Sequence, residues 1–177
     1  MSSYATIADA DTYFVGRLYS TVWNAASNLD KTNSLAQATR IIDRLSFAGE
    51  RHAASEVRLA LTGTRDFEIS LTQAHKDAIR AAALTQELEF PRGKDTVIPD
   101  DVKIASYEIA YALLDGVDPD LEYQDQGVVS QGHSSVRTTY DRSAVQEHTN
   151  SGIPSPVAWR YLKPYLRESH GVKISRV

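Results

Sequence analysis

The stretch from Pro99 to Gly116 constrains this chain most. As a helix it places Val102, Ala105, Ile109, Ala112 and Leu113 on one face and Ile104, Tyr107, Tyr111 and Leu114 on another. A helix that is apolar on most sides has little to offer water, so other elements must surround it. Its start is well specified. Pro99 suits a first helical position, and Asp100 and Asp101 complement the positive end of the helix dipole. Asp115-Gly116 stops it. The remaining segments must therefore supply amphipathic partners, which predicts a mainly α fold, a small helical bundle of roughly four to five helices.

The partners can be read along the chain. Thr6 and Asp9 form a Thr-x-x-Asp start, followed by Ile7, Ala10, Phe14 and Leu18 at helical spacing. Asp30 reads as the next N-cap, with Leu35, Ala38, Ile41, Ile42 and Leu45 striping a helix over 31–46 and Gly49 as its C-terminal signal. Residues 51–69 permit two readings. Val57, Leu59 and Leu61 alternate, as do Phe67 and Ile69, which suits a small hairpin, whereas Ala54, Val57 and Leu61 suit a short helix over 53–61. Of the two, the helix is preferred. Ser70 and Gln73 form a capping box before an Ala-rich helical stretch that carries Leu71 and Leu88 and ends before Pro91.

After a loop over 117–127, the run from Val128 to Tyr140 is rich in β-formers around Gly132 and reads as a β-hairpin. Residues 143–152 read as polar loop. Ser155 caps a last helix with Pro156 at its first position and Val157, Ala158, Trp159, Tyr161 and Leu162 following. Pro164 kinks or ends it. The expected organisation is a helical core with its hairpin over 1–154 and a C-terminal helix with an extended arm over 155–177.

The 177 residues carry a net charge of −4. Residues 157–177 hold Arg160, Lys163, Arg167, Lys173 and Arg176 against Glu168, a net +4, which leaves −8 on the other 156 residues. A basic tail on an acidic body suggests an electrostatic contact made by the tail, and a solvated terminus has the same composition. The acidic body argues against a globally basic nucleic-acid binder. With no cysteine, disulfides, Cys-ligated zinc, iron–sulfur clusters and a thiol nucleophile are excluded. No apolar run approaches the roughly 20 residues of a spanning helix, and the first residues do not read as a signal peptide.

Motifs for chemistry are weak. Asp118, Asp120 and Glu122 have calcium-loop spacing, but Tyr123 stands where glycine is needed and Val129 where the closing glutamate belongs. Gly132-His133-Ser134-Ser135-Val136 begins like a nucleophile elbow and lacks its closing glycine. His52, His75, His133, His148 and His170 do not fall at metal spacing and read as surface residues. The expectation is no enzyme and no catalytic, cofactor or metal residue.

One stretch interleaves aromatic and basic residues: Trp159, Arg160, Tyr161, Lys163, Tyr165 and Arg167. It can stack on bases, dock a protein, or place Trp159 and Leu162 in the core while Arg160 and Lys163 snorkel. The core reading is preferred for Trp159 and the docking reading for Tyr165 and Arg167.

Seven segments, in order, resemble a family of small tailed-bacteriophage proteins. They are Thr6–Phe14, Ala38–Leu45, Leu88–Gly93, Ile98–Ala105, Tyr107–Gly116, Ser135–Tyr140 and Ala158–Leu166. The family is related to the head–tail connector (adaptor) proteins, and its members are often labelled DnaT-like single-stranded-DNA-binding proteins instead. The resemblance covers most of the chain. It implies a helical bundle with a β-hairpin, and a ring, commonly of twelve identical subunits, under the portal protein. Such a ring extends the DNA channel without binding the genome specifically and meets tail or nozzle proteins below.

The implied location is the virion's head–tail junction, with host cytoplasm during assembly and no membrane. The portal-docking segment matches Trp159, Arg160, Tyr161, Lys163, Tyr165, Arg167, Lys173 and Arg176. The hairpin residues Val128, Val129, Val136, Arg137 and Tyr140 match an inter-subunit or tail-facing element. Residues 51–88 depart from the family as an extra helical insertion. The alternative label implies a single-stranded-DNA-binding replication accessory, which would need many more Lys and Arg along a groove.

Overall fold

The computed structural model describes residues 2–65, 70–121, 130–133, 136–139 and 146–167, the two short stretches 130–133 and 136–139 by backbone alone. The protein is mainly helical, with eight α-helices among the described residues. It divides into two compact units, Met1–Leu45 with Asp100–Lys163, and Ser46–Pro99 with Pro164–Val177. Neither unit is contiguous in sequence, and neither boundary falls at the expected 154/155 division.

In the first unit, α1 (Ile7–Val15) begins on the expected Thr6–Asp9 box: the Asp9 amide donates to Thr6 Oγ1 at 3.2 Å and the Thr6 amide to Asp9 Oδ2 at 3.3 Å. A short helix, α2 (Thr21–Ala25), follows where the sequence suggested none. It has no side-chain cap, and tertiary packing holds it. Trp23 is fully buried, stacks on Phe14 with centroids 4.7 Å apart, and donates from Nε1 to Asp11 at 2.8 Å.

Helix α3 (Asn28–Asp43) is capped by Ser27, which corrects the expected cap at Asp30. The Asp30 amide donates to Ser27 Oγ at 3.2 Å, so Asp30 occupies the third helical position of a Ser-x-x-Asp start. The helix stops at Arg44, and Gly49 lies beyond it rather than at its end. Helix α6 (Asp100–Leu114) starts one residue after Pro99 and packs against α3, with Val102, Ala105, Ile109 and Ala110 fully buried.

Backbone pairing joins β1 (Ser130–His133) and β2 (Val136–Thr139) antiparallel, Ser130 opposite Thr139 and His133 opposite Val136. The hairpin expected over 128–140 is not supported as an element of the fold. Two isolated four-residue strands do not make a stable layer. Val128, Val129 and Tyr140 lie outside the described residues, as do the side chains of Val136 and Arg137.

The loop expected over 143–152 is corrected in its second half. Helix α7 (Glu147–Asn150) buries His148 and Thr149 and leads to the fully buried Ile153. Helix α8 (Pro156–Leu162) has the predicted cap, the Ala158 amide donating to Ser155 Oγ at 3.3 Å, and packs Ala158 and Leu162 against α6.

In the second unit, α4 (His52–Thr62) settles the 53–61 ambiguity as helix. It ends on Gly63 at φ 73°, a left-handed position that glycine adopts without a Cβ clash, and the Gly63 amide donates to Leu59 O at 2.8 Å. Phe67 and Ile69, the other half of the hairpin alternative, lie outside the described residues. Helix α5 (Gln73–Thr85) is capped by Thr72, not Ser70: the His75 amide donates to Thr72 Oγ1 at 3.3 Å. It ends three residues before Leu88, where Gln86 turns extended.

A single 3₁₀ turn, Lys163–Tyr165, precedes a bridge between Leu166 and Phe47. The Ala48 amide donates to Tyr165 O, and the Arg167 amide to Ser46 O, each at 2.9 Å. The described part of the expected C-terminal arm is thus built into the units. Helix α8 belongs to the first, and residues 164–167 pair inside the second.

Candidate interaction surfaces

The first unit holds a buried polar cluster on α6. Glu108 is 3% exposed. It accepts from Tyr13 Oη at 2.7 Å, from Arg17 Nε at 2.7 Å and from Arg17 at a second nitrogen, 2.9 Å. Burial opposes the charge on Arg17, but the Glu108 carboxylate outweighs it and holds the guanidinium pKa above its usual value. Burial first, and the Glu108 carboxylate second, push the Tyr13 phenol well above its usual range. Arg17 also lies over the Tyr111 ring at 4.3 Å, and its Nη1 donates to Tyr19 O, which accepts from Tyr111 Oη at 2.6 Å as well. These bonds hold Tyr19 at φ 59°, a left-handed conformation for a residue with a Cβ. Its ring, with Val15 and Leu18, faces solvent.

The predicted docking segment is not one continuous element. Trp159 is half-buried rather than in the core; its Nε1 donates to Glu147 Oε2 at 3.3 Å, beside Lys163 Nζ at 2.6 Å. The hydrogen bond from Lys163, then that from Trp159, hold Glu147 below the usual carboxylate range. Lys163 is therefore committed within its own unit. Arg160 is exposed and has no side-chain partner among the described residues, while Tyr161 is half-buried. Tyr165 lies in the second unit, edge-on to Phe90 at 5.6 Å, and Phe90 is edge-on to Phe47 at 4.7 Å. Tyr165 is packed as well as poised at the surface. Arg167 is exposed, and Lys173 and Arg176 lie outside the described residues.

Among the described residues, each unit carries a groove. In the first, α2, α3 and α6 line about 670 Å³ with Val22, Ala25, Ala26, Asn33, Gln37 and Leu113 among its walls. In the second, α4 and α5 frame about 420 Å³ with a strongly ionic rim. Arg51 and Arg92 both reach Glu89, at 3.2 and 2.5 Å, and Arg58 pairs with Glu50 at 2.9 Å. Burial raises the Glu89 pKa, but the two guanidiniums win and hold it below its usual value. His52, read as a surface residue, is half-buried with Nδ1 3.0 Å from Gly93 O.

Glu108, Arg17 and the Glu89 cluster were not singled out in the sequence. The only local hint was an ionisable residue inside the apolar stripes of α6. Among the described residues no group of His, Asp or Glu is arranged to hold a metal ion, and no helix is long and apolar enough to cross a membrane.

Comparison with known proteins finds no matching family model, no matching curated protein and no matching solved structure.

Proposed function

We propose that this protein is a structural head–tail adaptor of a tailed-phage virion, a ring subunit that docks on the portal, extends the DNA channel and receives the tail. What supports the reading is the resemblance of seven segments, in order across most of the chain, to the adaptor-related family. The mainly helical fold is in keeping with it, as is an acidic body, since a like-charged wall lets DNA slide rather than gripping its phosphates. In this reading the portal meets Arg160 and Arg167 together with the basic tail through Lys173 and Arg176. The Val128–Tyr140 segment lies at the subunit boundary or toward the tail.

The test is to mix the purified chain with the portal ring of the phage that encodes it, image the mixture by electron microscopy, and titrate a single-stranded oligonucleotide in parallel. An added ring on one end of the portal, without oligonucleotide binding, supports the adaptor. Undecorated portals with tight, salt-sensitive oligonucleotide binding give the protein to the replication reading. A chain lacking residues 168–177 is expected to remain folded by circular dichroism and to decorate portals less. Normal decoration by it removes the tail from the docking surface.

A further inference from the structure

The groove between α4 and α5 shows what it would bind. Among the described residues five cations and two carboxylates line it, and three of those cations pair with the two carboxylates: Arg51 and Arg92 with Glu89, Arg58 with Glu50. Lys76 and Arg80 remain. They sit one turn apart on α5, both exposed, with no ionic partner among the described residues. Ala54, Leu71, Ile79 and Ala83 add apolar surface to the same groove. The complement is a segment that carries closely spaced carboxylates beside an apolar side chain. A nucleic-acid strand fits poorly. Among the described residues no aromatic side chain lines the groove for stacking, and Glu50 and Glu89 would face the phosphates.

The chain itself contains the complement. Residues 115–125 carry five acids, Asp115, Asp118, Asp120, Glu122 and Asp125, and no base. Leu121 lies between Asp120 and Glu122 and is 57% exposed, while Asp118 and Asp120 are exposed beside it. We propose that the α4–α5 groove receives the acidic segment 115–125 of a second copy of this chain, with Leu121 on the apolar floor and the nearby carboxylates Asp118 and Asp120 toward Lys76 and Arg80. The groove and the segment are different surfaces, so the contact is head-to-tail and propagates from copy to copy. It gives residues 51–88 a role as one half of an inter-subunit contact. The inference deepens the ring reading and rests on it for closure into a ring, but the contact itself requires no portal.

The probe is a fluorescently labelled synthetic peptide of residues 115–125, titrated against the full chain by anisotropy. Salt-sensitive binding is expected. The double substitution Lys76→Glu with Arg80→Glu should weaken it by about tenfold or more, and Lys103→Glu on α6 should leave it unchanged. In sedimentation, the Lys76→Glu/Arg80→Glu chain and an Asp118→Lys/Asp120→Lys chain should each fail to self-associate, and mixing them should restore association through swapped charges.

Three results overturn the proposal: no peptide binding, binding unaffected by the groove reversal, or displacement of the peptide by a single-stranded oligonucleotide. Peptide binding seen only with the Asp118→Lys/Asp120→Lys chain, while the unsubstituted chain sediments as a monomer, means that the chain's own segment fills the groove, which also overturns the second-copy occupant. If the chain decorates portals but ignores the peptide, this inference falls and the ring reading stands. If it binds the peptide but ignores portals, the reverse holds.

Discussion

Glu108 gathers three hydrogen bonds from Tyr13 and Arg17 at a position with almost no access to water. A buried pair is weak evidence of net stability, but removing one partner strands the other. Glu108→Ala leaves the Arg17 guanidinium and the Tyr13 hydroxyl without their acceptor. Because Arg17 is partly exposed, the expected loss is about 2–4 kcal/mol, readable as a lower urea midpoint. Tyr13 adds a pH signature. Its folded pKa is raised, so the folded state keeps its proton where the unfolded chain has begun to lose it. This contribution is intact below about pH 10 and declines as pH rises above it. Tyr13→Phe should flatten the alkaline side of a stability–pH curve; an unchanged slope would remove Tyr13 from the account. None of this was visible in the sequence, because the partners of Glu108 lie 91 and 95 residues away.

Elements were legible where their ends are chemically local. The Thr6–Asp9 box, the Ser155–Pro156 start and the apolar stripes of α6 each act within a few residues, and the structure has all three. Misreadings arose where two local signals compete. Ser70-x-x-Gln73 and Thr72-x-x-His75 both offer an oxygen to a third helical position, and only the second is used. Asp30 looks like a cap because Asp often is one, yet Ser27 sits three residues earlier and takes that place. Helices of four or five residues, α2 and α7, exist because Trp23 and His148 are buried, a tertiary cause that periodicity cannot register. The cap assignment can be checked directly. Thr72→Ala should cost about 1 kcal/mol, while Ser70→Ala should be silent within about 0.5 kcal/mol. Equal effects in thermal melts would return α5 to the earlier start.

At the scale of the molecule, the two units are unequally built. The second brings together residues over 110 positions apart, such as Ser46 and Arg167, which is why no composition shift in the sequence marked it. Its buried apolar side chains, among the described residues, are Phe47, Ala54, Ile79 and Phe90. The first unit has Phe14, Trp23, Leu35, Ile42, Val102, Ile109, Ile153, Leu162 and more. Much of what orders the second unit is ionic, the Arg51–Glu89–Arg92 and Arg58–Glu50 pairs, and such pairs add little once partly exposed. Glu89 is held below its usual pKa in the folded state. Its contribution is therefore present at neutral pH and is lost as pH falls through the ordinary glutamate range, below about 4.3. Segments with few buried apolar contacts open at lower free energy than the global transition. Amides of α4 and α5 should accordingly exchange with solvent through a smaller opening than those of α6. The gap should widen in acid and in a Glu89→Gln variant, as read by native-state hydrogen exchange. If α4 and α5 exchange only with α6, through one global event, the second unit is not the weaker one. If the gap closes when the 115–125 peptide is added, the groove's occupant stabilises the unit that holds it.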